Sequence, residues 1–273
     1  MDWARAKNII LIVLIILNLF LFVNVMNVKD TFVLTGQYQK NARQALETAG
    51  VVVTGNIPSY NKPIGRISYM DCDTGMYRDM IKGLTGLKDD SAVNPLNRQW
   101  DVNGKALFIE GDRFVYTDGT GTTVLPVEDE KRLDRKLLSW IRDKKISKER
   151  FVLDNVYKDD DTIIAEYIQQ YKDLLIYNNR ITFTIKNGRL SKAEGNMKLF
   201  DTIKLSKADE IISANIVLLT GKSRIRGVIN TIDLGYMQLQ EEDLYDTPVW
   251  RVTLISGDRV FYNAYTGEWI EFD

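Results

Sequence analysis

The chain has 273 residues, with 36 Lys and Arg against 37 Asp and Glu, so its net charge at pH 7 is close to zero. This balance argues against a nucleic-acid-binding surface or a polybasic membrane patch. The absence of His excludes Ser-His-Asp and Cys-His catalysis and His-ligated zinc, and the single Cys excludes an intrachain disulfide. We expect a protein with no enzymatic activity, metal or cofactor, although chemistry based on carboxylates, Lys or Tyr stays open.

The first predicted element is a helix long enough to cross a membrane. Residues 9–28 contain no charged side chain, and twenty helical residues rise about 30 Å, the thickness of the hydrocarbon core of a bilayer. Arg5 and Lys7 precede this run, whereas the two charges that follow it cancel. By the positive-inside rule we predict a cytoplasmic tip at 1–8, a single transmembrane helix at 9–28 in the cell membrane, and an extracellular C-terminal part.

A cleaved secretory leader and a buried core helix are the alternatives to a permanent anchor. The apolar region of a leader spans about 7 to 15 residues and ends at small residues, whereas this run is longer and ends in VNVMNV. A lipoprotein leader requires a Cys directly after the apolar run, but the one Cys of the chain is Cys72. These differences favour the permanent anchor.

Polar side chains within the apolar run suggest a partner for this helix. Asn18 lies near its middle and Asn24 near its outer end, and amides in hydrocarbon often form hydrogen bonds to another helix. The alternative, that these amides bond their own backbone or reach the interface, stays open. At the inner end, Trp3, Arg5 and Lys7 are predicted to lie at the membrane interface.

Beyond the anchor, hydrophobic periodicity and turn residues predict a mixture of helices and strands. The expected elements are a helix over 33–49, strands at 51–54 and 64–70, a short helix at 74–83, a hairpin turning at Gly111-Asp112 and a helix over 128–145. Five strand stretches are expected over 151–203, with turns at 158–161, 178–179 and 187–188. They are followed by a helix over 206–219 that begins with Ser206 as N-cap and ends at Gly221, and by strands from 225 to 272. The buried face of the helix over 128–145 is predicted to be Leu133, Leu137, Leu138, Trp140 and Ile141.

An internal repeat indicates how these elements are organised. Residues 108–121 match residues 254–267 at seven of fourteen positions. We favour two related units, a smaller one at 33–127 and a larger one at 128–273, over the alternative that the match reflects hairpin chemistry alone. The predicted class is α+β: a transmembrane helix followed by extracellular antiparallel-sheet units, with helices packed on one face.

Three short motifs suggest chemistry that their context does not support. The triplet Asp73-Thr74-Gly75 is typical of aspartic proteases, which need two copies, so an acid at Asp71 or Asp73 is better explained as a cap. The sequence Gly221-Lys222-Ser223 resembles the end of a P-loop, but Ile216 stands where that motif requires Gly. The three acids at 159–161 lack the alternating spacing of a calcium loop.

Four stretches of the sequence resemble the YycI (WalI) family. They are the initial MDW with Lys7, the apolar run ending in LNLFL at 17–21, PVWRV at 248–252 and FYNAYTGEW at 261–269. The last stretch also resembles the closing hairpin of PepSY-type extracellular domains. The resemblance extends over the whole architecture, from the cytoplasmic tip to the strand-rich external part.

The resemblance implies a non-enzymatic accessory protein of the WalK/WalR (YycG/YycF) two-component system of low-GC Gram-positive bacteria. Members of the family act on the sensor histidine kinase WalK (YycG) with a sister protein, YycH, and tune genes of cell-wall metabolism. Contact is largely through transmembrane helices, which on this chain places it at 9–28, with Asn18, Phe20 and Asn24 as expected contact residues. Family members differ in whether they restrain or assist the kinase.

Two other functions compete with this one. The PepSY-like hairpin favours an extracellular inhibitor or chaperone of a secreted peptidase, for which the anchor would be dispensable. A tethered hydrolase of wall polymer would need two carboxyl groups about 5 to 9.5 Å apart in a cleft. The side chains that line the largest cleft distinguish these possibilities.

Overall fold

The computed structural model describes residues 3–30, 36–60, 62–70, 74–89, 93, 98–196, 198, 200, 202–240 and 242–271. In the first two helices, side chains are described only for Trp3, Lys7, residues 10–22 and residues from Lys40 onward. The capping role predicted for Asp71 or Asp73 lies outside the described residues.

The described residues form five α-helices and fourteen strands. The helices are α1 (Trp3–Asp30), α2 (Gly36–Thr48), α3 (Thr74–Thr85), α4 (Glu130–Asp143) and α5 (Ala214–Thr220), the last followed by a 3₁₀ turn at Lys222–Arg224. The strands are β1 (Val52–Val53), β2 (Ile67–Met70), β3 (Gln99–Val102), β4 (Lys105–Glu110), β5 (Arg113–Asp118), β6 (Arg150–Asp159), β7 (Thr162–Tyr171), β8 (Leu174–Lys186), β9 (Arg189–Asn196), β10 (Thr202–Leu205), β11 (Val228–Met237), β12 (Thr247–Leu254), β13 (Arg259–Asn263) and β14 (Trp269–Ile270). This composition confirms the predicted α+β class.

Twelve of the strands form one large sheet around β8. The sheet runs β14-β13-β12-β11-β8-β9-β5-β4-β3, with β7 also pairing with β8, β6 with β7, and β1 with β11. The start of β8 pairs in parallel with β11, and its later residues pair antiparallel with β9. Strand β8 therefore joins the two halves of the sheet.

The ladder between β7 and β8 is interrupted where the two halves meet. Gln169 pairs with Ile176, but the preceding Ile168 pairs with Arg180, so the three residues 177–179 of β8 have no partner on β7. We predicted a turn at Asn178-Asn179; that prediction is wrong, because these residues form a bulge inside a continuous strand. The reversal between β7 and β8 lies at 172–173 instead, where Lys172 has a φ of 55°.

Each half of the sheet has its own hydrophobic core. In the first half, α3 and α4 pack on the strands, and Trp140 of α4 meets Phe183 edge-on with ring centroids 5.3 Å apart. In the second half, α2 and α5 pack over β11, β12 and β13, and the Nε1–H of the fully buried Trp250 donates to the carbonyl of Ile212 at 2.8 Å. The aromatic side chains thus supply much of both cores.

Helix α4 agrees closely with its prediction. Asp129 is the N-cap, and its side chain accepts a hydrogen bond of 3.0 Å from the backbone N–H of Arg132. Leu133, Leu137, Trp140 and Ile141 are buried as predicted, and Leu138 is half-buried. The helix forms as expected because its cap, its apolar stripe and its charge distribution all favour the same element.

The helix predicted over 206–219 is wrong over its first half. Only Ala214–Thr220 is helical. Ser206 instead follows β10, which pairs antiparallel with β2, and its hydroxyl accepts from the backbone N–H of Arg66 at 2.9 Å. Asp209 continues this extended segment through a bridge to Ile64. Tertiary strand pairing therefore overrides the local capping signal at Ser206.

The two copies of the repeat both form hairpins, but their turns differ. In the first, Glu110 pairs directly with Arg113, which leaves a two-residue turn at Gly111-Asp112 as predicted. In the second, Thr253 pairs with Arg259 and the N–H of Leu254 donates to the carbonyl of Asp258, which leaves residues 255–257 in the turn. The division into units at 33–127 and 128–273 stays a prediction; β5 and β9, on either side of that boundary, are paired.

Candidate functional site

Helix α1 carries all six residues predicted to contact the membrane or a partner. The side chains of Trp3, Lys7, Asn18 and Phe20 are exposed, whereas those of Arg5 and Asn24 lie outside the described side chains. In an α-helix, residues two apart differ by about 200° around the axis. Asn18 and Phe20 therefore project from opposite sides of α1, so one straight partner helix meets one of them but not both.

The described apolar side chains of α1 are exposed on every side of the helix. From Ile10 to Phe22 their exposed fractions lie between 50% for Leu17 and 63% for Leu19. A helix that is apolar all round is stable only where something other than water covers it. In the part of the chain that the structure describes, no helix combines the length and the apolar character that crossing a membrane requires.

A cluster of five charged side chains lies where the two halves of the sheet meet. Arg251 of β12 contacts Asp154 of β6, with Nη1 and Oδ1 2.7 Å apart, and Asp233 of β11, with Nη2 and Oδ2 3.0 Å apart. Arg259 of β13 contacts the same Asp154 through Nη2 at 2.8 Å and Glu166 of β7 at 2.8 Å. We call these five residues the junction cluster.

Burial sets the electrostatics of the junction cluster. The side chains of Arg251 and Asp154 are 6% and 7% exposed. Burial alone lowers the pKa of the Arg251 guanidinium, but Tyr177, Asp154 and Asp233 outweigh it and the pKa is raised. The guanidinium lies over the Tyr177 ring, 4.9 Å from its centroid, and burial raises the pKa of that phenol. Because every carboxylate here is held by a guanidinium, the cluster joins β6 and β7 to β11, β12 and β13.

A second buried polar group fixes the two-stranded sheet to the large one. The phenolic O–H of Tyr69 in β2 donates to Asp246, whose side chain is fully buried, and Lys198 approaches Asp246 at 3.4 Å. Asp246 also exchanges two backbone hydrogen bonds with Ile67. Burial raises the pKa of the Asp246 carboxyl, although Lys198 and the bond from Tyr69 oppose this.

A groove with a volume of about 990 Å³ runs along α4. Its walls are α4, residues 124–126 and residues 147–151, and its lining contains one acid, Glu149, with several apolar and basic side chains. A pair of acids, as the hydrolase hypothesis requires, does not line this groove. Among the described residues, no cluster of three or more His, Cys, Asp or Glu is arranged to hold a metal ion.

The junction cluster and the groove were both missed by our reasoning from sequence. One signal for the cluster was present: Arg251 interrupts PVWRV, an otherwise apolar stretch of β12 whose five residues are all buried. A charged residue in such a strand requires a buried partner. The identity of that partner, Asp154, depends on strand order and is not readable from local sequence.

Comparisons with known proteins add little to this geometry. No protein-family model matches the chain, and no curated protein matches it. Among solved structures, the C-terminal domain of Bacillus megaterium YpeB is similar, with a TM-score of 0.38 and 11% sequence identity over 74% of this chain and 97% of that domain. A similarity this weak supports no conclusion about function, and the resemblance to the YycI family stays a prediction.

Proposed function

We propose that the chain is a membrane-anchored accessory protein, without enzymatic activity, that regulates the WalK (YycG) sensor histidine kinase together with YycH. In this proposal residues 1–8 are cytoplasmic, 9–28 cross the cell membrane, and the α+β part is extracellular. The N-terminal helix contacts the transmembrane helices of the kinase and so tunes genes of cell-wall metabolism. The resemblance at both ends of the chain supplies the identity of the partner.

The observation that carries the proposal is the unbroken helix α1. It extends over 28 residues from Trp3 to Asp30, and the apolar side chains described from Ile10 to Phe22 are at least half exposed. The sequence of residues 9–28 has no charge. Burial of this surface in a bilayer, with amides such as Asn18 directed at another helix, satisfies both the apolar and the polar side chains.

A membrane helix regulates a kinase only by binding one of its signalling states better than the other. A useful coupling free energy is about 1 to 3 kcal/mol, which corresponds to roughly 5- to 150-fold in affinity. A few hydrogen bonds and packing contacts along one face of α1 supply free energies of this size. The extracellular part then serves to orient the helix or to bind further partners.

Co-purification of WalK from membranes tests the proposal. The full chain is compared with a variant in which residues 9–28 are permuted at equal composition, so that hydrophobicity is unchanged. Retention of the kinase by the native helix alone is the expected result. Retention by both chains would place the contact in the extracellular part, and retention by neither would leave the peptidase-inhibitor function as the better explanation.

Single substitutions locate the contacting face. Because Asn18 and Phe20 project from opposite sides of α1, Asn18→Leu and Phe20→Ala are expected to differ in their effect on kinase retention. If only Asn18→Leu loses the kinase, the contact lies on the face of α1 that carries the Asn18 amide. Equal retention by both variants and the native helix would contradict a contact through these residues.

A further inference from the structure

The groove along α4 has a strongly basic rim on an otherwise neutral protein. Four basic residues of α4 face it, and two more lie on the opposite wall: Arg132, Arg135, Lys136, Arg142, Lys148 and Arg150. Glu149 is the one acid in the lining, although the whole chain has a net charge of −1. Positive charge is therefore concentrated at this groove.

The basic residues of α4 form a continuous stripe. Arg132, Lys136 and Arg142 recur at helical spacing, with Ser139 between the last two, and line the same groove; the ten steps from Arg132 to Arg142 correspond to about 15 Å along the axis. One acid of the helix is engaged away from the groove, since Glu130 binds Lys158 at 2.7 Å. Glu130 therefore does not neutralise the stripe.

The other two acids of α4 differ in position. Asp134 accepts a hydrogen bond from the Tyr167 hydroxyl at 2.9 Å, whereas Asp143 accepts one at 3.1 Å from Ser139, which lines the groove, and so lies at the end of the stripe. Within the part of the chain that the structure describes, the ion pairs include none of Arg132, Arg135, Lys136, Arg142 and Arg150. Mutual repulsion of these cations is relieved by an anionic ligand.

Between the basic walls the groove has an apolar floor. Leu125, Ile141 and Phe151 form its buried base, Leu138 is half-buried, and Val124 is 68% exposed at the edge. A uniformly charged polymer has no apolar groups to bury against this floor, and a flat bilayer surface does not enter a concave groove. Acidic side chains flanking apolar ones match both features.

We propose that this groove binds an acidic amphipathic segment of a partner protein. Carboxylates of the segment pair with the stripe on α4 and with the opposite wall, and its apolar side chains cover Val124 and Leu138. A groove of about 15 Å accommodates roughly ten helical residues or five extended ones. No residue of α1 lines this groove, so the proposal does not depend on the function assigned to the membrane helix.

A peptide titration tests the proposal. The probe is a fluorescent 14-residue peptide of Leu and Glu, with Leu at every third and fourth position, and its counterpart has Lys in place of Glu. Each is titrated into the full chain in nonionic detergent micelles, with the signal from empty micelles subtracted. We expect the Glu peptide to bind, the Lys peptide not to bind, and affinity to fall steeply between 0.05 and 0.5 M NaCl, as screening shortens the range of the attraction from about 10 Å at 0.1 M salt.

Matched variants locate the binding to the groove. The triple variant Arg132→Gln, Lys136→Gln and Arg142→Gln is expected to bind the Glu peptide at least tenfold more weakly. The control, Lys131→Gln, Lys186→Gln and Lys207→Gln, removes equal charge from exposed positions outside the groove and is expected to bind as the wild type does. Circular dichroism of both variants reports whether the overall secondary structure is retained.

Three results would overturn the proposal. The first is no binding of the Glu peptide beyond that of empty micelles. The second is equal loss in the two triple variants, which indicates a general effect of net charge. The third is tighter binding of polyphosphate or of phosphatidylglycerol vesicles than of the peptide, lost with the same three groove substitutions, which would assign the groove to a polyanion or a lipid surface.

Discussion

Arg251 and Asp154 form an ion pair of 2.7 Å in which both side chains are almost completely buried, at 6% and 7% exposed. Asp154 belongs to β6 and Arg251 to β12, so the pair connects the two halves of the large sheet. Arg259 binds the second oxygen of Asp154. The sheet bulge at residues 177–179 lies beside this cluster, since the Arg251 guanidinium covers the ring of Tyr177.

Replacement of Arg251 by Met is expected to destabilise the protein strongly. The substitution retains most of the side-chain volume but removes the positive charge that Asp154 and Asp233 contact. Removal of one partner from a buried ion pair costs about 3 to 5 kcal/mol of stability. The measurement is urea unfolding of the full chain in detergent, followed by Trp fluorescence. Glu110→Gln, which breaks the exposed pair of Glu110 with Arg98 at 2.6 Å, is the control and is expected to cost about 0 to 1 kcal/mol. Similar losses in the two variants would contradict a structural role for the junction cluster.

The buried Asp246 carboxyl gives the folded protein a defined pH dependence. Burial raises its pKa in the folded state, so the native state holds this proton more tightly than the unfolded state. The contribution of Asp246 to stability is therefore present at low pH and is lost as pH rises through the raised pKa, beginning near the unfolded value of about 4. Relative to the wild type, Asp246→Asn is expected to gain in free energy of unfolding as pH increases from 4 to 7.

A second substitution sharpens this test. The hydrogen bond from Tyr69 lowers the pKa of Asp246, so Tyr69→Phe is expected to extend the loss of stability to higher pH. Urea titrations at a series of pH values measure both effects. A constant difference between wild type and Asp246→Asn across this range would show that Asp246 is not the group responsible.

Gly83 in α3 has no room for a side chain. A Cβ at this position would lie 2.4 Å from the carbonyl oxygen of Lys144, which follows α4. Since that oxygen belongs to the backbone, Gly83→Ala forces the two helices apart and is expected to cost about 1 to 3 kcal/mol, despite the better helix propensity of Ala. The exposed Arg78 of the same helix is the control, and Arg78→Ala is expected to change the free energy of unfolding by less than about 0.5 kcal/mol. An unchanged or higher stability of Gly83→Ala in urea unfolding would show that α3 and α4 separate readily.

Cysteine labelling tests the proposed orientation of the chain. In a Cys72→Ser background, the substitutions Ala4→Cys and Lys186→Cys place one thiol on each side of the predicted membrane helix. A membrane-impermeant maleimide is expected to label the second thiol in intact cells, and the first only after lysis. Labelling of the Ala4→Cys thiol in intact cells would reverse the topology, and loss of that thiol from the mature chain would indicate a cleaved leader.

Local signals in the sequence predicted an element correctly where several of them favoured the same element. The apolar stripe and the terminal charges of α4 favour a helix over 128–145, and the structure has one at Glu130–Asp143, with Asp129 as its N-cap. At Ser206 a capping signal stood alone, and pairing of β10 with β2 overrode it. At Asn178-Asn179 a turn-forming dipeptide lies within β8, because hydrogen bonds on both sides of it keep the strand continuous.

The proposed binding surfaces also depend partly on local sequence and partly on tertiary structure. The basic spacing of Arg132, Lys136 and Arg142 can be read from the helical period, but their groove exists only because residues 124–126 and 147–151 lie beside α4. Asn18 was a candidate because it is an amide in an apolar run and Phe20 because of the resemblance to the YycI family, and helix geometry places the two on opposite sides of α1.

By itself, the sequence determined the local properties of this protein: an uncharged run at its N-terminus, the α+β class, the helix α4, the hairpin at Gly111-Asp112, and the lack of His-based chemistry. The tertiary structure decided which charges are paired and buried. Asp154 and Arg251 are 97 positions apart, and the order of strands around β8 brings them together. Period and propensity act over a few neighbouring residues, whereas the partner of a buried charge is set by strand pairing across the whole chain.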